Sequence, residues 1–196
     1  MNCALALILL LDSSGSINGA AWQTMVEAHA DALADERIAH AMSSQGLTAV
    51  SVISFDDTAR VVVPWRIVDV PEDAERVARE VAGIRRPSNG STQTGLALAF
   101  ALQHFDRAPC EGERRVVDLV TDGPADDERR VAEAREALIE ADVRLNVLAV
   151  QTYGADAAAW AREHAVTPGG FVMEADGWPQ FAWAIRRKIA SEISQR

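Results

Sequence analysis

Apolar and polar positions along this chain follow two rhythms in turn. Ala4–Leu11 is an unbroken apolar run, as expected of a parallel strand covered on both faces. After the turn residues Asp12–Ser16, Trp22, Met25, Val26, His29 and Leu33 recur at helical spacing. A short helical piece over Glu36–Met42 is broken by Ser43–Gly46. Thr48–Phe55 reads as a strand, and Asp56–Thr58 as a tight turn into Arg60–Val63. That second arm of a hairpin is expected at a sheet edge because Pro64 follows.

The alternation continues to the end of the chain. Pro71 opens a helix to about Val81, with Glu72 and Asp73 favourably placed at its N-terminus. Ile84–Ser91 is a loop, and Gly95–Phe105 a strongly apolar helix. Arg115–Thr121 is a strand stopped by Asp122-Gly123-Pro124. Asp127–Ala141 is a charged amphipathic helix, Arg144–Gln151 a strand and Asp156–Ala165 a helix. A short strand, Phe171–Met173, and a closing helix, Pro179–Ile193, complete the pattern. Strands alternating with helices predict a doubly wound, mostly parallel α/β sheet. No repeat or long linker divides the chain, so one domain spanning 1–196 is expected.

Composition narrows the function. Lys and Arg number 19 against 29 Asp and Glu, a formal net charge of −10. That sign repels phosphate and argues against nucleic-acid binding and against an anionic membrane surface. The run Ala4–Leu11 is too short to span a bilayer, and neither a basic segment before it nor a small-residue cleavage site after it suggests a signal peptide. The chain as it stands therefore reads as cytoplasmic, with no membrane insertion.

Chemistry concentrates at three points. Asp12-Ser13-Ser14-Gly15-Ser16 follows the first buried strand, where ligand sites gather in open α/β sheets. Asp12, Ser14 and Ser16 offer a carboxylate and two hydroxyls, hard donors suited to Mg²⁺, Mn²⁺ or Ca²⁺ and poorly suited to zinc. Gly15 is expected to allow the tight turn between the serines. The hydroxyl-rich loop Asn89-Gly90-Ser91-Thr92-Gln93-Thr94-Gly95 enters a helix, and Thr121-Asp122-Gly123 ends a later buried strand. Each segment alone is equally compatible with helix capping or an ordinary turn.

Taken in order, the three segments resemble the metal-ion-dependent adhesion site (MIDAS) of the von Willebrand factor type A (vWA) family. Its pattern is Asp-x-Ser-x-Ser, then a Thr after a Gly-rich loop, then an Asp closing a later strand. The resemblance assigns Asp12, Ser14, Ser16, Thr92 and Asp122 as metal ligands, with Thr92 preferred to Thr94. It covers nearly the whole chain and implies six strands with one antiparallel edge. The segment Pro109–Asp118 together with Val61-Val62-Val63-Pro64-Trp65 is similar to a bacterial branch of the family, DUF1194. Members of that branch commonly carry an export signal, which would place the mature protein in the periplasm or outside the cell.

The resemblance also implies a mechanism. Ser14 and Ser16 ligate as neutral hydroxyls, while Asp12 and Asp122 reach the ion partly through water. The ion keeps an open position for a Glu or Asp of a protein partner. In integrin-type relatives such a site is linked to movement of the last helix, here Pro179–Ile193. In the family fold the strands that Cys3 opens and Cys110 precedes are neighbours, so a disulfide is within geometric reach, although two free thiols are the expectation.

Other residues are read structurally. Asp118, inside an apolar strand, is expected to meet an arginine such as Arg115 or Arg144, with a supporting role at the metal as the alternative. Asp56 and Asp57 belong to the hairpin turn. His29, His40, His104 and His164 receive no catalytic or zinc role, and the five tryptophans are read as core and groove fillers. No enzyme is expected, although a metal-dependent hydrolase and a structural domain with an idle site are competing readings. Subtilisin-type, haloacid-dehalogenase-type and phosphate-loop motifs are each incomplete or missing.

Overall fold

Asn2–Asp12 forms the central strand β1 of a six-stranded sheet in a computed structural model that describes residues 2–194 apart from Ser88, Tyr153 and Ala155. The remaining strands are β2 (Thr48–Phe55), β3 (Ala59–Val68), β4 (Glu111–Thr121), β5 (Val143–Val150) and β6 (Val172–Ala175). Their spatial order is β3-β2-β1-β4-β5-β6. Only the β2–β3 pair is antiparallel, which is the expected edge.

Two apolar faces explain the unbroken run in β1. Leu5, Leu7, Leu9 and Leu11 pack beneath α1 (Gly19–Leu33), α2 (Glu36–Ser44), α3 (Pro71–Ala82) and α7 (Trp178–Ser194). Ala6, Ile8 and Leu10 face α4 (Thr94–His104), α5 (Glu128–Glu140) and Trp160 of α6 (Ala157–Trp160). A strand with helices on both sides has no wet face, so the alternation of polar residues disappears.

Three expectations need correction. β3 runs through Pro64 to Val68 instead of stopping at Val63. Its pairing jumps from Val52↔Val63 to Val50↔Arg66, so Pro64 sits in an irregularity on the edge, where its missing N–H costs no ladder bond. β4 starts at Glu111 rather than Arg115, because Glu111–Arg114 pair with the first residues of β1. The helix expected over Asp156–Ala165 is one α-turn to Trp160 followed by a wider π-turn over Ala161–Ala165.

The cysteines are also not free. Cys3 and Cys110 are joined in a disulfide, with Cα atoms 5.7 Å apart. Cys3 pairs in register with Gly112, so the β1–β4 ladder itself brings the two thiols within bridging distance.

Asp118 finds a different partner from the arginines expected. It lies on β4 between Leu9 and Asn146, fully buried on the face covered by α7, and Lys188 of that helix forms an ion pair with it. The position is central to the sheet rather than at its edge, so an arginine on a neighbouring strand end does not reach it. Trp183 is likewise no core residue, being 58% exposed with the Arg187 guanidinium 4.6 Å above its ring.

Candidate metal centre

β1 connects to β2 on one side, and β4 lies on its other side, so the strand order reverses between β1 and β4. In wound sheets the crevice at the carboxyl ends of such a pair is where ligands bind. Asp12 ends β1, and Asp122 follows Thr121 at the end of β4. Both carboxylates therefore arrive at one crevice because Leu11 and Val120 are in register.

Hydrogen bonds tie four of the five expected ligands together. Ser16 Oγ donates to Asp122 Oδ1 at 2.6 Å, and Ser14 Oγ lies 3.3 Å from Ser16 Oγ. The Ser14 amide donates to Asp12 Oδ1 at 2.8 Å. Thr121 Oγ1 donates to Asp12 Oδ2, also at 2.8 Å. The fifth, Thr92, is held instead by Asp126: its amide donates to Asp126 Oδ2 and its carbonyl accepts from the Asp126 amide. Among the described residues no hydrogen bond links the Thr92 hydroxyl to the other four. Its rival Thr94 is fully buried at the start of α4, with its hydroxyl unpartnered.

The expected need for glycine at position 15 is not borne out, because its backbone is not left-handed and a Cβ would make only ordinary van der Waals contacts. Its amide donates to the Gly90 carbonyl at 2.9 Å, and a Cβ would stand 3.4 Å from the Asn89 carbonyl. Gly90 is stricter, since a Cβ there would collide with the Asp57 carboxylate.

Asp12 is fully buried, and burial pushes its carboxyl up to about 6 against the opposing hydrogen bonds from Ser14 and Thr121. Burial raises Asp122 too, with the Ser16 hydroxyl pulling the other way. Among the described residues neither carboxylate has an ion-pair partner. Two desolvated carboxylates without an ion-pair partner, beside two hydroxyls, are the chemistry a hard divalent ion would complete. Among the described residues no three His, Cys, Asp or Glu side chains gather at one point, so any ion here would depend on the serine hydroxyls as well as the two carboxylates.

Several supporting residues were not legible in the sequence. Asp57, read as part of a turn, accepts from both the amide and the hydroxyl of Ser91, and so holds the loop that carries Thr92. Asp56 does make the turn, accepting from the Thr58 amide at 3.0 Å. Asp127 caps α4 from outside, its two oxygens accepting from the Gly95 and Leu96 amides at 3.0 Å each. The motif signal marks ligands; it carries no mark for residues that brace them from distant loops.

A serine and a histidine do meet, away from this crevice. Ser51 Oγ lies 3.0 Å from His104 Nε2 in the core and also donates to the Val63 carbonyl at 2.8 Å. With its proton on that carbonyl, the hydroxyl accepts from the ring, so the imidazole acts as donor and not as base.

A family model described as "Protein of unknown function (DUF1194)" matches residues 2–196. The chain belongs to the DUF1194 family. No curated protein sequence matches it. Among solved structures, a von Willebrand factor type A protein from Catenulispora acidiphila superposes with a TM-score of 0.74 at 21% identity, covering 99% of this chain and 44% of that one. Proximal thread matrix protein 1 from the mussel byssus, with a zinc-occupied MIDAS motif, gives 0.71 at 18% identity over 97% of this chain and 46% of its own. The von Willebrand factor domain of the type V pili tip protein Mfa5 from Porphyromonas gingivalis gives 0.69 at 8% identity, covering 100% and 98%. This DUF1194 chain thus has the vWA fold, and it spans less than half the length of the first two structures. No helix among its described residues is long and apolar enough to cross a membrane.

Proposed function

We propose that this DUF1194 chain is a divalent-metal-dependent protein-interaction module that takes an acidic side chain of a partner at the Asp12–Asp122 crevice. The observation that carries the reading is the pair of buried carboxylates without an ion-pair partner among the described residues: Asp12, bonded to the Ser14 amide, and Asp122, bonded to the Ser16 hydroxyl, which lies 3.3 Å from that of Ser14. Asp12, Ser14, Ser16 and Asp122 would hold the ion, with Thr92 on the adjoining loop as the fifth ligand. The bound ion supplies a Lewis-acidic position at which a Glu or Asp of the partner can attach.

The residues around the crevice do the remaining work. Ser14 and Ser16 offer oxygens without charge, so the site leaves a divalent ion under-neutralised. The chain's net charge of −10 disfavours an acidic partner in the absence of the ion, which makes binding metal-gated. A pili tip domain and a thread matrix protein among the structures of like fold support an interaction role over an enzymatic one. The Ser51–His104 pair adds no hydrolytic centre, because its hydroxyl is committed to a carbonyl.

Mg²⁺ or Mn²⁺ suits the oxygen donors best, with Ca²⁺ next; the zinc-occupied relative makes Zn²⁺ a necessary comparison. We further propose an oxidising compartment for the protein, supported by the Cys3–Cys110 bridge. Calorimetry of Mg²⁺, Mn²⁺ and Zn²⁺ with the intact protein and with Asp12→Ala tests the site. An unchanged isotherm in the variant removes the ligand assignment. A Glu-containing peptide and Mg²⁺ should each raise the other's affinity by the same factor, and equal affinities with and without the other remove the interaction mechanism.

A further inference from the structure

We infer that Arg86 is a positioning residue of this centre, clamping the Asp12–Ser16 loop to the segment that carries Thr92; the inference rests on the proposed metal-binding role. Arg86 Nη2 donates to the Ser13 carbonyl at 3.2 Å and to the Ser14 carbonyl at 2.7 Å. Ser13 and Ser14 are buried, so their carbonyls depend on protein donors. The other contacts of the loop fix its remaining groups: the Ser13 amide and hydroxyl both donate to Phe55 O at 2.8 Å, and the Gly15 amide donates to Gly90 O. With two consecutive carbonyls drawn to Arg86, the Ser14 and Ser16 hydroxyls are left on the side of Asp122.

Arg86 belongs to the segment that runs from Ile84, whose carbonyl accepts from Trp22 Nε1 of α1, to Thr92. One guanidinium thus ties the first part of the ligand set to the segment that leads into the second. Its Nε is buried and unpartnered, a donor left dry while Nη2 serves both carbonyls. An arginine held only by solvent would hydrate that atom.

Charge and position give opposite signs, which makes the role testable. Removing a cation beside a metal site should tighten divalent-ion binding if charge alone matters. Loss of the brace should loosen it, as substitutions behind metal ligands do, by about tenfold. Mg²⁺ calorimetry and amide hydrogen exchange of Ser13–Ile17 in the metal-free protein are measured on the full chain for the parent, Arg86→Met and Arg86→Lys. Arg86→Met is expected to bind Mg²⁺ about tenfold more weakly and to exchange those amides faster. Arg86→Lys, whose ammonium can donate to both carbonyls, recovers most of each. Equal or tighter Mg²⁺ binding by a folded Arg86→Met protein overturns the inference.

If that variant does not fold, Arg86→Gln, too short to span both carbonyls, is read against the same outcomes. If the parent protein binds no divalent ion, the metal reading fails by itself. Exchange in the metal-free loop then decides alone: unchanged protection in Arg86→Met overturns the bracing role, and faster exchange sustains it.

Discussion

Lys188 and Glu192 stand one turn apart on α7 with Lys188 Nζ 2.7 Å from Glu192 Oε1, and both side chains are fully buried. Asp118 of β4 completes the group through its ion pair with the same ammonium, and Asn146 Nδ2 of β5 donates to Glu192 Oε1 at 3.0 Å. Two carboxyls share one cation in a dry core, so one of them favours the neutral form. Burial first, and then the Asp118 charge, push Glu192 up to about 8. The group fastens the last helix to β4 and β5.

Glu192 should make the fold less stable as pH rises from the acid range to about 8. Below its ordinary 4.5 the carboxyl is protonated in both the folded and the unfolded chain. Between 4.5 and about 8 the unfolded chain has lost the proton that the folded chain keeps, so this stabilising contribution declines as pH rises and is gone above about 8. His29 has the opposite sign: burial lowers it from 6.5 to about 4, so its contribution is lost as pH falls through that range. Urea unfolding across pH should show that stability falls less steeply between pH 4.5 and about 8 in Glu192→Gln than in the parent. An identical slope in the two proteins counts against the shared-proton arrangement.

Removing the cation from this group should be costlier than neutralising one carboxyl. Lys188→Met leaves Asp118 and Glu192 facing each other in the core with no counter-charge, and a broken buried pair costs about 3–5 kcal/mol. Denaturant titration near neutral pH measures the loss. The double variant Lys188→Met/Asp118→Asn should recover part of it, since the carboxylate charge left without its cation is then gone as well.

How far the sequence could be read follows from where each signal resides. Strand and helix order was legible because burial on both faces of β1 and on one stripe of each helix is written locally, as in Ala4–Leu11. The convergence of Asp12, Ser14, Ser16 and Asp122 on one crevice was legible because it follows from motif order and strand ends. Asp118 was recognised as a buried charge, but its partner lies 70 positions along the chain on another layer, and spacing says nothing about that. The Cys3–Cys110 bridge depended on register, which a difference of one residue would have changed. Arg86 and Asp57 act on backbone groups of distant loops, a role with no signature in residue type.

The disulfide should contribute a large share of the stability. It closes a separation of 107 residues, and the entropy removed from an unfolded chain by a loop of that size corresponds to about 4–5 kcal/mol. Guanidinium unfolding of the oxidised parent, compared with Cys3→Ser/Cys110→Ser, checks this. A midpoint shift equivalent to under about 1 kcal/mol would show that the reduced chain's unfolded state is already restricted.

Asp57 should matter to the metal centre more than to the fold. It lies exposed at the hairpin turn, and its accepted hydrogen bonds from Ser91 hold it below the ordinary carboxylate range. Asp57→Ala removes both bonds from the loop bearing Thr92 while opening no cavity in the core. Thermal unfolding should therefore change little, as for other surface substitutions. Mg²⁺ affinity should fall by about tenfold, because the loop then samples positions in which the Thr92 hydroxyl is away from the crevice. Asp57→Asn keeps an acceptor oxygen for the Ser91 amide and should fall between the two. Parent-like Mg²⁺ binding in Asp57→Ala would mean that the Asp126 contacts alone hold Thr92 in place, and that Asp57 serves only the turn.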